Sequence, residues 1–242
     1  MDDLPQSQRP PWGNAVMGLN LVCAALLAQA LVSALLSGLG TYTTVLIHAG
    51  ESSKFASRAD SFFIVLGVLS CLVSVVTLVG LALTARDPNS RPAAGLLTAA
   101  VTLVAVDLAV SIFWEVAPRI SHDLPELFWS ISRVVSLGTG LASSALVLEA
   151  ALRLRREADG PSGLSDLAAR ALFWTGSVLG LGVHLARNEL SGQLSLDQWS
   201  LLALRMVVLL VVTLVTFTVA RGAILGMYRR EPRAAGPGPG AP

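Results

Sequence analysis

The chain has 242 residues, of which 53% are hydrophobic and 14% charged, with a formal net charge of +1 and a mean hydropathy of +0.66. Soluble domains carry about a quarter charged residues, so an ordinary water-soluble fold is excluded. A near-neutral chain without a basic patch also excludes nucleic acid as a partner, because binding phosphates needs clustered cations.

Between Arg9 and Glu51 there is no Asp, Glu, Lys or Arg. An apolar run of about 18 or more residues can cross the hydrocarbon core, and a helix with no polar face has no side to offer water. The first span is predicted over about 14–38. Ala28-Gln29-Ala30 within it has the small-residue form of a signal-peptidase site. The leader is acidic at Asp2 and Asp3, however, and apolar sequence continues past Ala30, so the span is expected to stay uncleaved. The sole lysine, Lys54, falls in the following loop. A retinal pigment, which needs an intramembrane lysine, is thereby excluded.

The second span is predicted at about 60–84, in a stretch with no charge between Asp60 and Arg86. Cys23 and Cys71 lie mid-helix on the first two spans, which predicts buried thiols rather than a disulfide. Asp87-Pro88-Asn89-Ser90-Arg91-Pro92 is turn chemistry and separates the third span, about 93–117. Pro118 and Pro125 bracket the next link, and a fourth span follows over about 126–152. Asp159-Gly160-Pro161-Ser162-Gly163 then leads to a fifth, about 165–187, and a sixth, about 198–227. Each run must satisfy its own backbone amides in lipid, so helices are the workable form. The expected fold is therefore all-α, an integral membrane bundle of six transmembrane helices. Residues 1–13 form a leading segment, and the Gly/Pro/Ala-rich tail within 229–242 is expected to be disordered.

Arginines divide unevenly between the two sides. Arg9, Arg86, Arg91, Arg153, Arg155, Arg156, Arg170, Arg229, Arg230 and Arg233 share the side of the termini, against Lys54, Arg58, Arg119 and Arg187 opposite. Positive loops stay inside, so both termini are expected in the cytoplasm, with a bacterial inner (plasma) membrane as the setting. Trp12, Trp114, Trp129 and Trp199 fall near span ends, where interfacial aromatics belong.

Six ionisable residues remain at similar depth in the outer half: Asp107 and Glu115 on span three, Arg133 on span four, His184 and Arg187 on span five, and Arg205 on span six. A lone Arg or Asp near a helix centre costs about 2.5 to 3.5 kcal/mol on insertion scales, so these groups are expected to face each other or a wet cavity. One reading is a vestibule or ion path with Asp107 as proton or cation acceptor. The other is a register-fixing pair, Asp107–Arg133 or Asp107–Arg205, with Glu115 and Arg187 snorkelling. On the inner side, Glu149 and Arg153 stand four residues apart, the spacing of a helix-surface ion pair. Small residues mark expected packing faces: Gly176 and Gly180 on span five, Gly140 and Ser144 on span four, Ala30 and Ala34 on span one.

Chemistry is harder to find. His48, His122 and His184 come from separate segments without ligand spacing, which argues against a metal. Ser177 and His184 share a helix but stand about 10 Å apart along its axis, too far for a nucleophile and its base. No cofactor is expected. Three functional classes follow, in order: a structural or assembly subunit of a membrane complex, a transporter or channel using the polar cluster, and an intramembrane enzyme or haem protein. The expected partners are the lipid bilayer and a second copy or other membrane subunits.

Overall fold

The computed structural model describes residues 12–48, 52–120, 126–189 and 197–230. They form six α-helices: α1 (Gly13–His48), α2 (Ser52–Arg86), α3 (Arg91–Ile120), α4 (Glu126–Glu157), α5 (Asp166–Glu189) and α6 (Asp197–Arg230), with a single 3-10 turn, Pro88–Ser90, before α3. The 234–242 stretch of the tail lies outside the described residues, while Arg229 and Arg230 continue α6.

Five of the helices are long and apolar enough to cross a membrane, over Gly13–Thr43, Ser61–Arg86, Pro88–Phe113, Val134–Glu157 and Ser200–Arg230. The sixth, α5, is the shortest at 24 residues and segregates polar from apolar positions more than the others do. Asp166 and Arg170 in its first turns, and Thr175-Gly176-Ser177 at its middle, lower its hydropathy. The protein is thus a bundle of six helices, five of them long and apolar enough to span a membrane.

Several helices outrun their predicted ends. The first continues ten residues past 38, through Thr41 and Thr43. Thr41 Oγ1 donates to Ser37 O at 3.0 Å and Thr43 Oγ1 to Leu39 O at 3.0 Å. A hydroxyl satisfied by the preceding turn can sit in an apolar helix without needing water.

Neighbouring contacts run α1–α2, α2–α3, α3–α4, α4–α6 and α6–α1, with α5 laid against α6 and barely touching α4. The packed core is lopsided. Leu19 and Val22 of α1, Leu81 of α2, Leu97 of α3, Leu152 of α4 and Ile224 of α6 are all fully or almost fully buried. In an antiparallel bundle these positions share one end, the arginine-rich one. Towards the other end the described side chains are more exposed, and the bundle is looser.

Close helix approach explains the tight end. A Cβ on Gly18 would lie 2.8 Å from Thr84 N, and closer still to Thr84 Oγ1 and the Gly80 carbonyl. A Cβ on Gly80 would in turn meet Gly18 O at 2.7 Å. Two glycines facing each other let the α1 and α2 backbones touch. A second such notch lies on α6, where a Cβ on Gly226 would sit 2.6 Å from Ala158 O. The α4–α5 link rests in this notch, with Asp159 at φ 49°, a left-handed conformation that Asp tolerates better than most residues.

Buried Asp87 joins the two halves of this end. Its Oδ2 accepts from Ala15 N at 2.9 Å and its Oδ1 from Asn89 N at 2.9 Å. One carboxylate thereby caps the first turn of α1 and the 3-10 turn before α3, where free N–H groups await an acceptor.

The ion pairs at this end depart from the sequence pattern. Glu149 pairs not with Arg153 but with Arg170 of α5, through two bonds of 2.6 and 2.8 Å. Arg153 Nη1 instead donates to Pro92 O at 3.2 Å. An Arg–carboxylate fork is stronger than one surface contact along a helix, so the inter-helix partner wins. Asp166 bonds both Arg155 and Arg156, and Asp159 bonds Arg230. Burial pushes the Asp166 carboxyl up, but hydrogen bonds and charge from Arg156 and Arg155 outweigh it and hold the group below its ordinary value. Trp12, expected at the interface, is buried in the core at 6% exposure, because the Asp87 cap draws the start of α1 inward.

Candidate functional site

Where the tight end gives way to the loose one, a cavity of about 460 Å³ opens among α1, α3, α4, α5 and α6. Its polar lining includes Asp107, Ser136, Ser144, Ser177 and Arg205, and Phe173 and Val212 are among its apolar walls. The volume falls in the roughly 300–1,000 Å³ range of small-molecule sites, which pair a mainly apolar wall with a few placed polar groups.

Asp107 reaches the cavity from α3. Its Oδ1 accepts from Ser136 Oγ at 2.8 Å and from Thr139 Oγ1 at 3.3 Å. Ser136 and Thr139 are three residues apart, so both hydroxyls stand on one face of α4. Both bonds go to the same oxygen, and no described residue hydrogen-bonds Oδ2. An Asp107–Arg205 ion pair is likewise not formed among the described residues. Arg205 lines the same cavity from α6, so the two opposite charges share a space without closing it. Hydroxyls hold Asp107 because α3 packs on α4, which brings Ser136 and Thr139 nearer than α6 can bring a guanidinium.

The other members of the expected cluster are not brought into view. The side chains of Glu115, Arg133, His184 and Arg187 lie outside the described residues, and only their places on α3, α4 and α5 are given. Of the six, Asp107 and Arg205 are united in the cavity.

The small-residue positions separate into two kinds. Gly176 and Gly180 pack: a Cβ on Gly176 would meet Val212 Cγ2 at 2.7 Å, and one on Gly180 would meet Val208 Cγ1 at 3.2 Å. This face is therefore taken up by α6 of the same chain. Gly140 is not a packing residue, since a Cβ there would find nothing within 4 Å. It lines the cavity with Ser144, whose hydroxyl donates to Gly140 O at 2.8 Å. Ala30 and Ala34 are half-buried on α1. Beside them, Gln29 Nε2 donates to Ser70 Oγ at 3.3 Å, a polar tie between α1 and α2.

Sequence reading missed Gln29, Ser136, Thr139 and Ser177 as lining or supporting groups. They are uncharged and common in apolar helices, and only the three-residue spacing of Ser136 and Thr139 opposite an acid gave a signal. Cys23 and Cys71 are not joined in a disulfide; Cys23 is buried and Cys71 half-buried. Among the described residues no group of three metal-ligating side chains occurs. No protein-family profile, curated protein or solved structure matches the chain.

Proposed function

We propose that the protein is an integral membrane carrier that binds a small solute in the cavity among α1, α3, α4, α5 and α6, with Asp107 as the exchangeable acceptor. One observation supports this most: a carboxylate at mid-helix depth, held on one oxygen by two hydroxyls, lines a cavity. Ionisable groups within spans are expensive and tend to mark solute or proton pathways. Of the two register pairs expected, Asp107–Arg205 is not formed, and the side chain of Arg133 lies outside the described residues. On this reading α5 is the sixth span, and its polar side turns towards the cavity rather than lipid. The arginine-rich end, with both termini, faces the cytoplasm of a bacterial inner (plasma) membrane, as cytoplasmic loops favour Arg. Phosphate headgroups of that leaflet would meet Arg153 and Arg156.

Proteoliposomes enclosing a pH-sensitive dye test the reading under an imposed proton gradient. The wild-type protein is expected to dissipate the gradient faster than empty vesicles, and Asp107→Asn to lower that excess about tenfold or more. Ser136→Ala should lower it less, because Thr139 still donates to Oδ1. Equal rates for the wild type, Asp107→Asn and empty vesicles contradict proton-coupled transport.

Assembly with other subunits is the second reading, and α2 favours it. Only 6% of its most apolar window is buried within the chain, and Phe62, Val65, Val68 and Leu72 form an exposed apolar row. The Gly176/Gly180 face, already occupied by α6, is not available for that role. On this reading the partner, a second copy or another membrane subunit, would seat on α2.

A further inference from the structure

We infer that α5 is a gate: it swings about its ion-paired start and shuts the cavity by laying Gly176 and Gly180 against Ser144 and Gly140 of α4. The inference rests on the carrier reading above and deepens it, since a carrier must close its site on one side before opening it on the other.

The gate is held firmly at one end and lightly along the rest. In the first turns of α5, Asp166 bonds Arg155 and Arg156, and Arg170 forks onto Glu149 at 2.6 and 2.8 Å. Arg155 is itself wedged in place. Its Cγ and Cδ lie 3.0 and 3.1 Å from where a Cβ on Gly160 and on Gly222 would stand. Further along, α5 meets the bundle by a narrow seam. Phe173 and Val183 are buried, whereas Trp174, Val178 and Leu179 stay 49%, 67% and 51% exposed. Within that seam Gly176 and Gly180 rest on Val212 and Val208 of α6. A glycine seam has no knob to lift from a hole, so helices can slide across it with little loss of packing.

The ion pair also fixes what α5 meets when it swings. The two helices run antiparallel, and Glu149 and Arg170 mark one common height. Five residues further from the link α4 carries Ser144, and six residues further α5 carries Gly176. At nine and ten residues stand Gly140 and Gly180. With about 1.5 Å of rise per residue, each couple is level to within about one residue. Two small-xxx-small faces thus stand in register on consecutive helices, the pattern that lets backbones pack closely in lipid.

That match is unmade in the present arrangement. All four residues line the cavity, and α4 and α5 barely touch. A Cβ on Gly140 would find nothing within 4 Å, so the α4 half of the match is vacant. By swinging, α5 trades Val212 and Val208 for Ser144 and Gly140, and the cavity between them collapses. Two discrete packings of one helix are the bistable element that a gate requires.

The experiment uses full-length protein in vesicles, with Cys23 and Cys71 replaced by alanine and Ser144→Cys combined with Ser177→Cys. A disulfide needs Cα atoms within about 7 Å, a spacing reached when the two faces meet. Copper phenanthroline is expected to join this pair at least tenfold faster than Ser144→Cys with Leu181→Cys, which stands about one turn further along α5. Gly140→Leu should prop the faces apart and slow the first pair at least fivefold. Gly138→Leu, at a second open position away from the cavity, should not. Nitroxides at the exposed positions 137 and 178 leave the small faces intact. They should report two distances several ångströms apart.

A single narrow distance overturns the gate. Equal trapping of the two cysteine pairs, or trapping indifferent to Gly140→Leu, overturns it as well. Trapping in vesicles without Asp107-dependent proton flux upholds the gate and removes the carrier. Flux that continues at full rate through the Ser144→Cys/Ser177→Cys disulfide overturns the gate and leaves the carrier standing.

Discussion

Replacing Gly18 with alanine is expected to destabilise the protein by about 2 to 3 kcal/mol, the upper part of the range for overpacking a tight core, whereas Gly138→Ala should be neutral or stabilising. The contrast is geometric. A Cβ on Gly18 meets the α2 backbone, including Thr84 N at 2.8 Å, and the two helices must separate to admit it. A Cβ on Gly138 finds nothing within 4 Å. There the better helix propensity of alanine, up to about 1 kcal/mol, is the remaining effect. Thermal melts followed by a thiol-reactive dye in a Cys71→Ser background report on this region directly, because Cys23 is buried on the same stretch of α1. Gly18→Ala should lower the midpoint by several degrees, and Gly138→Ala should not. Equal midpoints would mean that the α1–α2 crossing is not tight.

Asp87→Ala is expected to cost about 2 to 3 kcal/mol, since it removes two charge-assisted bonds to backbone N–H groups. Ala15 N would lose its acceptor in a buried setting, and Asn89 N its carboxylate acceptor in a half-buried one. Asp87→Asn keeps one carbonyl oxygen and should lose about half as much. Hydrogen exchange adds a local readout: the Ala15 and Asn89 amides should exchange faster in both variants, while amides in the middle of α6 stay unchanged. A midpoint for Asp87→Ala within a degree of wild type would rule out the shared cap.

Much of the architecture was legible because lipid imposes a simple rule. Long uncharged runs must be helices, and the breaks at Asp87–Pro92 and Asp159–Gly163 are local chemistry that needs no tertiary information. What local pattern could not reveal was the choice of neighbour. Glu149 has Arg153 one turn away and Arg170 on another helix, and only the packing of α5 decides between them. Gly18 and Gly80 stand alone in sequence, with no GxxxG spacing to mark them, because the motif is completed across two helices. Conversely, Gly176 and Gly180 carry the motif, and it serves α6 of the same chain. Gly140 looked like part of a packing face, yet it lines a space. For the candidate site, charge alone pointed to Asp107 and Arg205. The hydroxyls that hold Asp107 were hidden, since Ser and Thr are usually satisfied by their own helix.

Every functional statement depends on the exposed apolar faces lying within the membrane rather than against water. A nitroxide on cysteine at position 72, in the chain reconstituted with its other thiols replaced, tests this most directly, because Leu72 is 55% exposed at the middle of α2. Collision rates with oxygen, which concentrates in lipid, and with a water-soluble nickel chelate give the depth of the site. The account predicts frequent oxygen collisions and almost no contact with the chelate. Ready access of nickel at this position would contradict it, and a wet α2 would leave neither a membrane bundle nor a carrier.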